Sequence, residues 1–229
     1  MNNQDITDIF FDLDHTLWDF DKNSKLAFKR VFEKHTLDIP INKFIEVYEP
    51  INFEYWKRFR EDKVSKENLR RGRLKDTFSI FNIILTTDKI DDLADSYIDE
   101  LPGDNHLFEG AESILEYLSK KYTLHIITNG FNDVQHLKLK NSGISNYFST
   151  VTTSEEVGVK KPNQLIFTTA LKKANTVANK SMMIGDTFEA DILGAENVGM
   201  KTMYYNYRKE NLPKKYIIVD SLSEIKRYL

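Results

Sequence analysis

Asp12 and Asp14 close an apolar run, Ile9-Phe10-Phe11, and Thr16 follows two residues later. If the chain stays extended there, side chains at i and i+2 face the same way, and two carboxylates crowd one spot that then needs a cation. Asp and Thr also cap helices and fill turns, so D-x-D-x-T alone leaves that plainer reading open. Other apolar runs end in polar residues too: Leu124 to Thr128 runs into Asn129, Ser181 to Ile184 into Gly185-Asp186, and Lys161 stands in the loop GVKKP. Three acids, a hydroxyl, an amide and a lysine brought to one place suit a phosphate held with Mg²⁺. Hard carboxylate oxygens bind the metal, while hydroxyl, amide and ammonium groups donate to phosphate oxygens. Each residue has a second use: Thr128 and Asn129 suit a helix cap, Lys160 and Lys161 a solvated surface, Glu189 and Asp191 a helix amino terminus. Their recurrence at successive strand ends favours the chemical reading.

Strands must place these residues on one edge. Eight of the nine glycines lie at or beyond Gly103, where apolar strands and helical patterns alternate. Strands are expected at Ile9–Leu13, Leu124–Thr128, Thr150–Thr153, Ser181–Ile184, Thr202–Tyr205 and Ile217–Val219. Helices are expected at Ala111–Lys121, Asp133–Ser142, Gln164–Ala174, Ala190–Val198 and Ser221–Leu229. Alternation of this kind predicts an α/β fold, a doubly wound parallel sheet with helices on both faces, whose ligand lies beyond the carboxyl ends of the strands. Residues from about 22 to 100 read as successive amphipathic helices, inserted after the first strand. The expected division is a core of residues 1–20 and 103–229 and a helical cap of residues 21–102.

A chain of 229 residues with 41% hydrophobic and 29% charged residues is an ordinary soluble composition, and a net charge of -3 gives no signal for a nucleic-acid polymer or a membrane surface. Without cysteine there is no disulfide framework and no thiolate zinc site. MNNQDITD lacks the basic start and apolar stretch of an export signal, which predicts a cytoplasmic protein; its expected state is monomer or homodimer. His15, His35, His106, His125 and His136 show no ligand spacing.

FDLDHT, IITNG, KKP and GDTFEAD, in this order, resemble the four motifs of the haloacid-dehalogenase-like (HAD) superfamily of phosphatases. The longer runs SEEVGVKKPN and MMIGDTFEADILGAENVG resemble its pyrimidine 5'-nucleotidase branch. His15 departs from the pattern, since many relatives carry glycine there. The resemblance implies a Mg²⁺-dependent hydrolysis of small phosphate monoesters. Asp12 would be the nucleophile that forms an aspartyl-phosphate, and Asp14 the acid and then the base. Mg²⁺ would bind an Asp12 carboxylate oxygen, the Asp14 backbone carbonyl and Asp186, with Asp191 holding one of its waters. Thr128, Asn129 and Lys161 would bind the phosphoryl oxygens.

The core sees only phosphate, so the insert must select the substrate. Glu54 to Asp76 holds nine Lys or Arg against five acids, interleaved with aromatic residues. Such a stretch suits a nucleobase and an anion, or an ordinary amphipathic helix. Trp18 and Trp56 are the candidates there, Trp18 either lining the entrance or packed beneath the insert. Two alternatives stay open: a phosphatase of sugar phosphates or other metabolites, and a phosphoacceptor signalling module. Dehalogenation is disfavoured because Asp14 supplies the proton donor that ester hydrolysis needs.

Overall fold

A computed structural model describes residues 5–211, 213 and 215–229; residues 1–4, 212 and 214 of the expected core lie outside them. The chain divides into two compact units, Met1–Phe20 with Asn105–Leu229, and Asp21–Asp104.

The first unit is built on six parallel strands: β1 (Asp8–Phe11), β2 (Thr123–Thr128), β3 (Phe148–Thr153), β4 (Ser181–Gly185), β5 (Lys201–Tyr205) and β6 (Ile218–Val219). Their order is β3-β2-β1-β4-β5-β6. β1 is central and hydrogen-bonded on both sides, so its four residues DIFF are all buried and need no polar alternation. Phe11 pairs with both Ile126 and Ile184, and the Asp12 N–H still donates to the Ile184 carbonyl at 2.9 Å. The ends of β1, β2 and β4 therefore lie level, and the residues that follow them emerge on one edge.

Helices in this unit are α5 (Ala111–Ser119), α6 (Asn132–Asn141), the one-turn α7 (Ser154–Val157), α8 (Gln164–Lys173) and the short α9 (Gly194–Glu196). Ile166, Phe167 and Ala170 of α8 pack on Phe10, Ile127 and Met183 of the three central strands. Each buried Ile, Phe or Met side chain there contributes roughly 1.5–3 kcal/mol. At the amino-terminal end of the sheet the buried His125 lies between Asp8 (3.1 Å) and Thr150 (2.8 Å), and Thr176 donates to the other Asp8 oxygen (2.7 Å). That polar network sits at the opposite end of β1 from Asp12.

Three elements differ from the sequence expectation. β1 stops at Phe11 rather than Leu13, because the Leu13 carbonyl accepts from the N–H groups of Leu17 and Trp18 and turns the chain. In place of an α-helix from Ala190 there is a π-helical turn, Phe188–Leu193, ahead of α9. The last segment, Leu222–Arg227, is a 3-10 helix: Leu222 and Ile225 are both wholly buried, and their spacing of three suits that tighter coil.

The second unit consists of α1 (Phe20–His35, from Asp21 onward), α2 (Ile41–Arg60), α3 (Lys66–Ile80) and α4 (Thr87–Glu100). Ser65 and Thr86 cap α3 and α4 by accepting from the N–H groups of Asn68 and Lys89. The core is aromatic: Phe28 stacks on Tyr97 at 4.2 Å and meets Phe44 and Tyr48 edge-on. Much of the basic excess between Glu54 and Asp76 is neutralised within the unit. Arg58 pairs with Glu54, Arg70 with Asp95, and Arg71 with both Glu67 and Asp91. Those charges serve the helices' own packing, which weakens their reading as an attractor of anions.

Candidate active site

Asp12, Asp186 and Asp191 gather at the level edge of the sheet, each offering a carboxylate oxygen within 4.8 Å of the other two. All three are buried, and so is Lys161 among them. The Lys161 ammonium donates to Asp12 Oδ1 (2.8 Å) and the Ile127 carbonyl (2.8 Å), and lies 2.7 Å from Asp191 Oδ1. Two of its protons have acceptors, while the contact with Asp191 is an ion pair that leaves Asp191 Oδ1 without a hydrogen bond. Thr16 and Arg208 reach Asp186 from outside the cluster, at 3.4 and 3.2 Å.

Asp191 reaches this group because the π turn feeds an extra residue into the helix start. Its Oδ2 accepts from the Thr187 N–H at 2.9 Å, while its backbone N–H donates to the Thr187 carbonyl at 2.8 Å. Gly185 makes room, since a Cβ there would collide with the Asp191 carboxylate. Such turns are frequent at functional sites.

The two acids of the first motif do not share one environment. The chain turns at Leu13, so Asp14 points to α6: Lys138 Nζ donates to its Oδ1 at 2.5 Å and Gln135 Nε2 to its Oδ2 at 3.0 Å. The extended geometry that would have crowded Asp12 and Asp14 together stops short of Asp14. His15, in the same turn, takes a left-handed φ of 64°. Its Nδ1 lies 2.6 Å from the Tyr207 hydroxyl. Burial, then Arg208 and Lys138, hold its pKa well down and keep it neutral.

Thr128 Oγ1 accepts from Gly130 N–H (3.1 Å) and Gln135 Nε2 (2.7 Å). Both lone pairs are used and the hydroxyl proton remains to be donated. Asn129 is turned differently. Its Nδ2 donates to the Lys161 carbonyl (3.1 Å) and its Oδ1 accepts from the Lys161 N–H (2.8 Å), so its amide clasps the loop that carries the lysine. That loop continues through a cis Lys161–Pro162 bond.

Trp18 is wholly buried in the first unit, with Lys138 Nζ 4.1 Å from its ring centroid and its Nε1 donating to Asn105 at 3.4 Å. Of the two readings open for it, this is a packed position. Trp56 lies in α2 of the second unit, half-buried and edge-on to Phe59 at 5.6 Å. A groove of about 620 Å³ along β3, lined in part by Asn132, His136, Thr150, Glu156 and Lys173, includes none of the clustered acids.

Burial, against the pull of Lys161, pushes the Asp12 pKa up to about 7. Burial, then Asp12 and Asp191, raises Asp186 as well. Lys161 is lowered by burial but raised more by Asp12 and Asp191, and stays charged. Acids whose pKa is raised by folding stabilise the fold below about pH 4, and that contribution is lost as pH rises through about 7. A hard divalent cation would reverse the loss by replacing the protons. The rise in melting temperature on adding Mg²⁺ should therefore be larger at pH 8 than at pH 5; equal rises would remove these acids as the ligands.

Sequence reasoning missed Gln135, Lys138 and Arg208. A signal existed for the first two: the buried face of α6 is Val134, Gln135, Lys138 and Leu139, so two polar residues occupy a stripe that helical periodicity reserves for apolar ones.

Among the described residues no helix is long and apolar enough to cross a membrane. The profile of haloacid dehalogenase-like hydrolases matches residues 9–205. The chain is 32% identical over 225 residues to pyrimidine 5'-nucleotidase YjjG of Escherichia coli strain K12, covering 96% of each. It is 33% identical to pyrimidine 5'-nucleotidase PynA of Streptococcus pneumoniae, over 86% of this chain and 83% of that one. The crystal structure of the HAD-hydrolase YfnB from Bacillus subtilis, bound to magnesium, superposes with a TM-score of 0.89 at 25% identity over 98% of each chain. Fold, motif order and match along nearly the whole chain agree, and the protein belongs to the haloacid dehalogenase-like hydrolases.

Proposed function

We propose that this hydrolase cleaves phosphate monoesters through an aspartyl-phosphate, and that its substrates are nucleoside 5'-monophosphates, pyrimidine ones preferred. The observation that carries the reaction is the separate furnishing of Asp12 and Asp14. Asp12 shares the Lys161 ammonium with a cluster of buried acids, whereas Asp14 stands apart from that cluster between the Lys138 ammonium and the Gln135 amide. Two carboxyl groups in unlike surroundings suit two unlike roles.

Asp12 attacks phosphorus in line. Its new bond to phosphorus forms as the ester P–O bond breaks, and Asp14 protonates the departing alcohol oxygen. Water then attacks the phosphoryl group, Asp14 takes its proton, and Asp12 is regenerated. The unclaimed Thr128 proton suits a phosphoryl oxygen. Lys161 reaches one by exchanging an acceptor, and Asn129 fixes the Lys161 loop.

The donor set fits magnesium: hard oxygens of buried acids, with two cations now balancing them. Asp12, Asp186 and the Asp14 backbone carbonyl would hold the ion, with Asp191 toward one of its waters. When bound, it supplies positive charge against the phosphoryl oxygens and carboxylates. The magnesium bound to YfnB supports this assignment.

The substrate proposal draws on YjjG and PynA. Residues 21–104 are proposed to discriminate between leaving groups, with Trp56 as a stacking candidate. A panel of monophosphates tests it. UMP, dUMP and dTMP are expected to exceed sugar phosphates in kcat/KM by at least about tenfold. Parity would sink the nucleotidase reading and leave a general phosphatase, whereas a stable phospho-Asp12 without turnover would make the chain a phosphoacceptor module.

A further inference from the structure

Lys138 is a buried ammonium, 1% exposed, whose carboxylate partner Asp14 lies 124 residues away in sequence. Burying such a charge costs several kcal/mol unless close partners supply charge and hydrogen bonds. Asp14 Oδ1 lies at 2.5 Å, and the ring centroids of Trp18 and Phe20 lie at 4.1 and 5.2 Å. Gln135, one turn earlier on the same face of α6 and 0% exposed, donates through Nε2 to Asp14 Oδ2 and Thr128 Oγ1. Its place is kept clear by Gly130, where a Cβ would collide with the Gln135 side chain. Gln135 Oε1 meets no donor among the described residues, so the amide is oriented by what its nitrogen gives away. Both Asp14 oxygens thus accept from N–H groups that cannot accept in return. Each oxygen keeps a second lone pair, so a proton can be taken or given there while both donors stay in place.

We propose that Lys138 and Gln135 are positioning residues that hold Asp14 as the base for the second half of the reaction. The inference rests on the acid-base role assigned to Asp14 above. In that half the water oxygen bonds to phosphorus and the bond from phosphorus to Asp12 breaks. The electron pair returns to the Asp12 carboxylate, and the water proton passes to Asp14. Two donors on two oxygens fix the carboxylate plane, and with it the direction of the lone pair that meets the water. Losing either donor frees rotation about Cβ–Cγ and slows this half more than the first.

The test uses the whole chain with Mg²⁺ and p-nitrophenyl phosphate, whose leaving group departs without a proton. In Lys138→Met and Gln135→Leu, kcat should fall roughly 10- to 100-fold. The ratio kcat/KM, which extends only to departure of nitrophenolate, should fall by less than about threefold. A burst approaching one nitrophenolate per chain should appear, with phosphate trapped on Asp12 after acid quench, and Lys138→Arg should recover part of kcat. A parallel fall of kcat and kcat/KM without a burst overturns the proposal, and so does an unchanged kcat. Asp14→Asn separates the two levels. If it gives no burst, the role of Asp14 fails and this inference with it; if it gives one and neither helix variant does, only this inference fails.

Discussion

Asp12→Asn is expected to lower turnover by about 10⁴-fold or more and to abolish covalent labelling by phosphate. The amide keeps the shape of the side chain but cannot serve as the nucleophile. Misfolding would not explain the loss: Asp12 is crowded by Asp186 and Asp191, and burial already pushes its pKa up to about 7. Removing one of these charges should leave the metal-free protein at least as stable as the parent, with Lys161 still beside Asp191 at 2.7 Å. Steady-state kinetics, acid-quench labelling and thermal unfolding check the three parts. Turnover at the parental rate would refute Asp12 as the attacking group.

Lys161→Met should do the opposite to stability. It removes the buried cation shared by Asp12 and Asp191 and leaves three buried carboxylates facing one another. Removing one partner from a buried pair costs about 3–5 kcal/mol. For a chain of this size that is a fall in melting temperature of roughly 6–20 °C without metal. Mg²⁺ should restore part of it, because a divalent cation among the acids stands in for the lost ammonium. Turnover should stay depressed. A metal-free variant that melts with the parent would show that the ammonium does not balance these acids.

The strand-end residues could be read from the chain because a parallel sheet delivers every strand in the same direction. Once Ile9, Leu124 and Ser181 begin strands, Asp12, Thr128 and Asp186 must fall on one edge. Asp191 was placed less directly, because nothing in its local sequence distinguishes a π turn from an α-helix. The direction of the Asn129 amide depends on a loop 32 residues away, and so was not visible. Gln135 and Lys138 lie on a helix face rather than a strand end, and a partner 121 or 124 residues distant leaves no local trace beyond two polar residues in a buried stripe. Trp18 suited either an entrance or a packed layer, and the Lys138 ammonium over its buried ring is a partner that its local sequence does not announce.

The bare α-carbons at positions 130 and 185 have a consequence for descent. At either one, a methyl group would strike a working side chain, Gln135 in the first case and Asp191 in the second. Alanine, the mildest replacement available, already intrudes there. As long as a lineage keeps Gln135 and Asp191 where they stand, a larger residue at either position must push one of them aside.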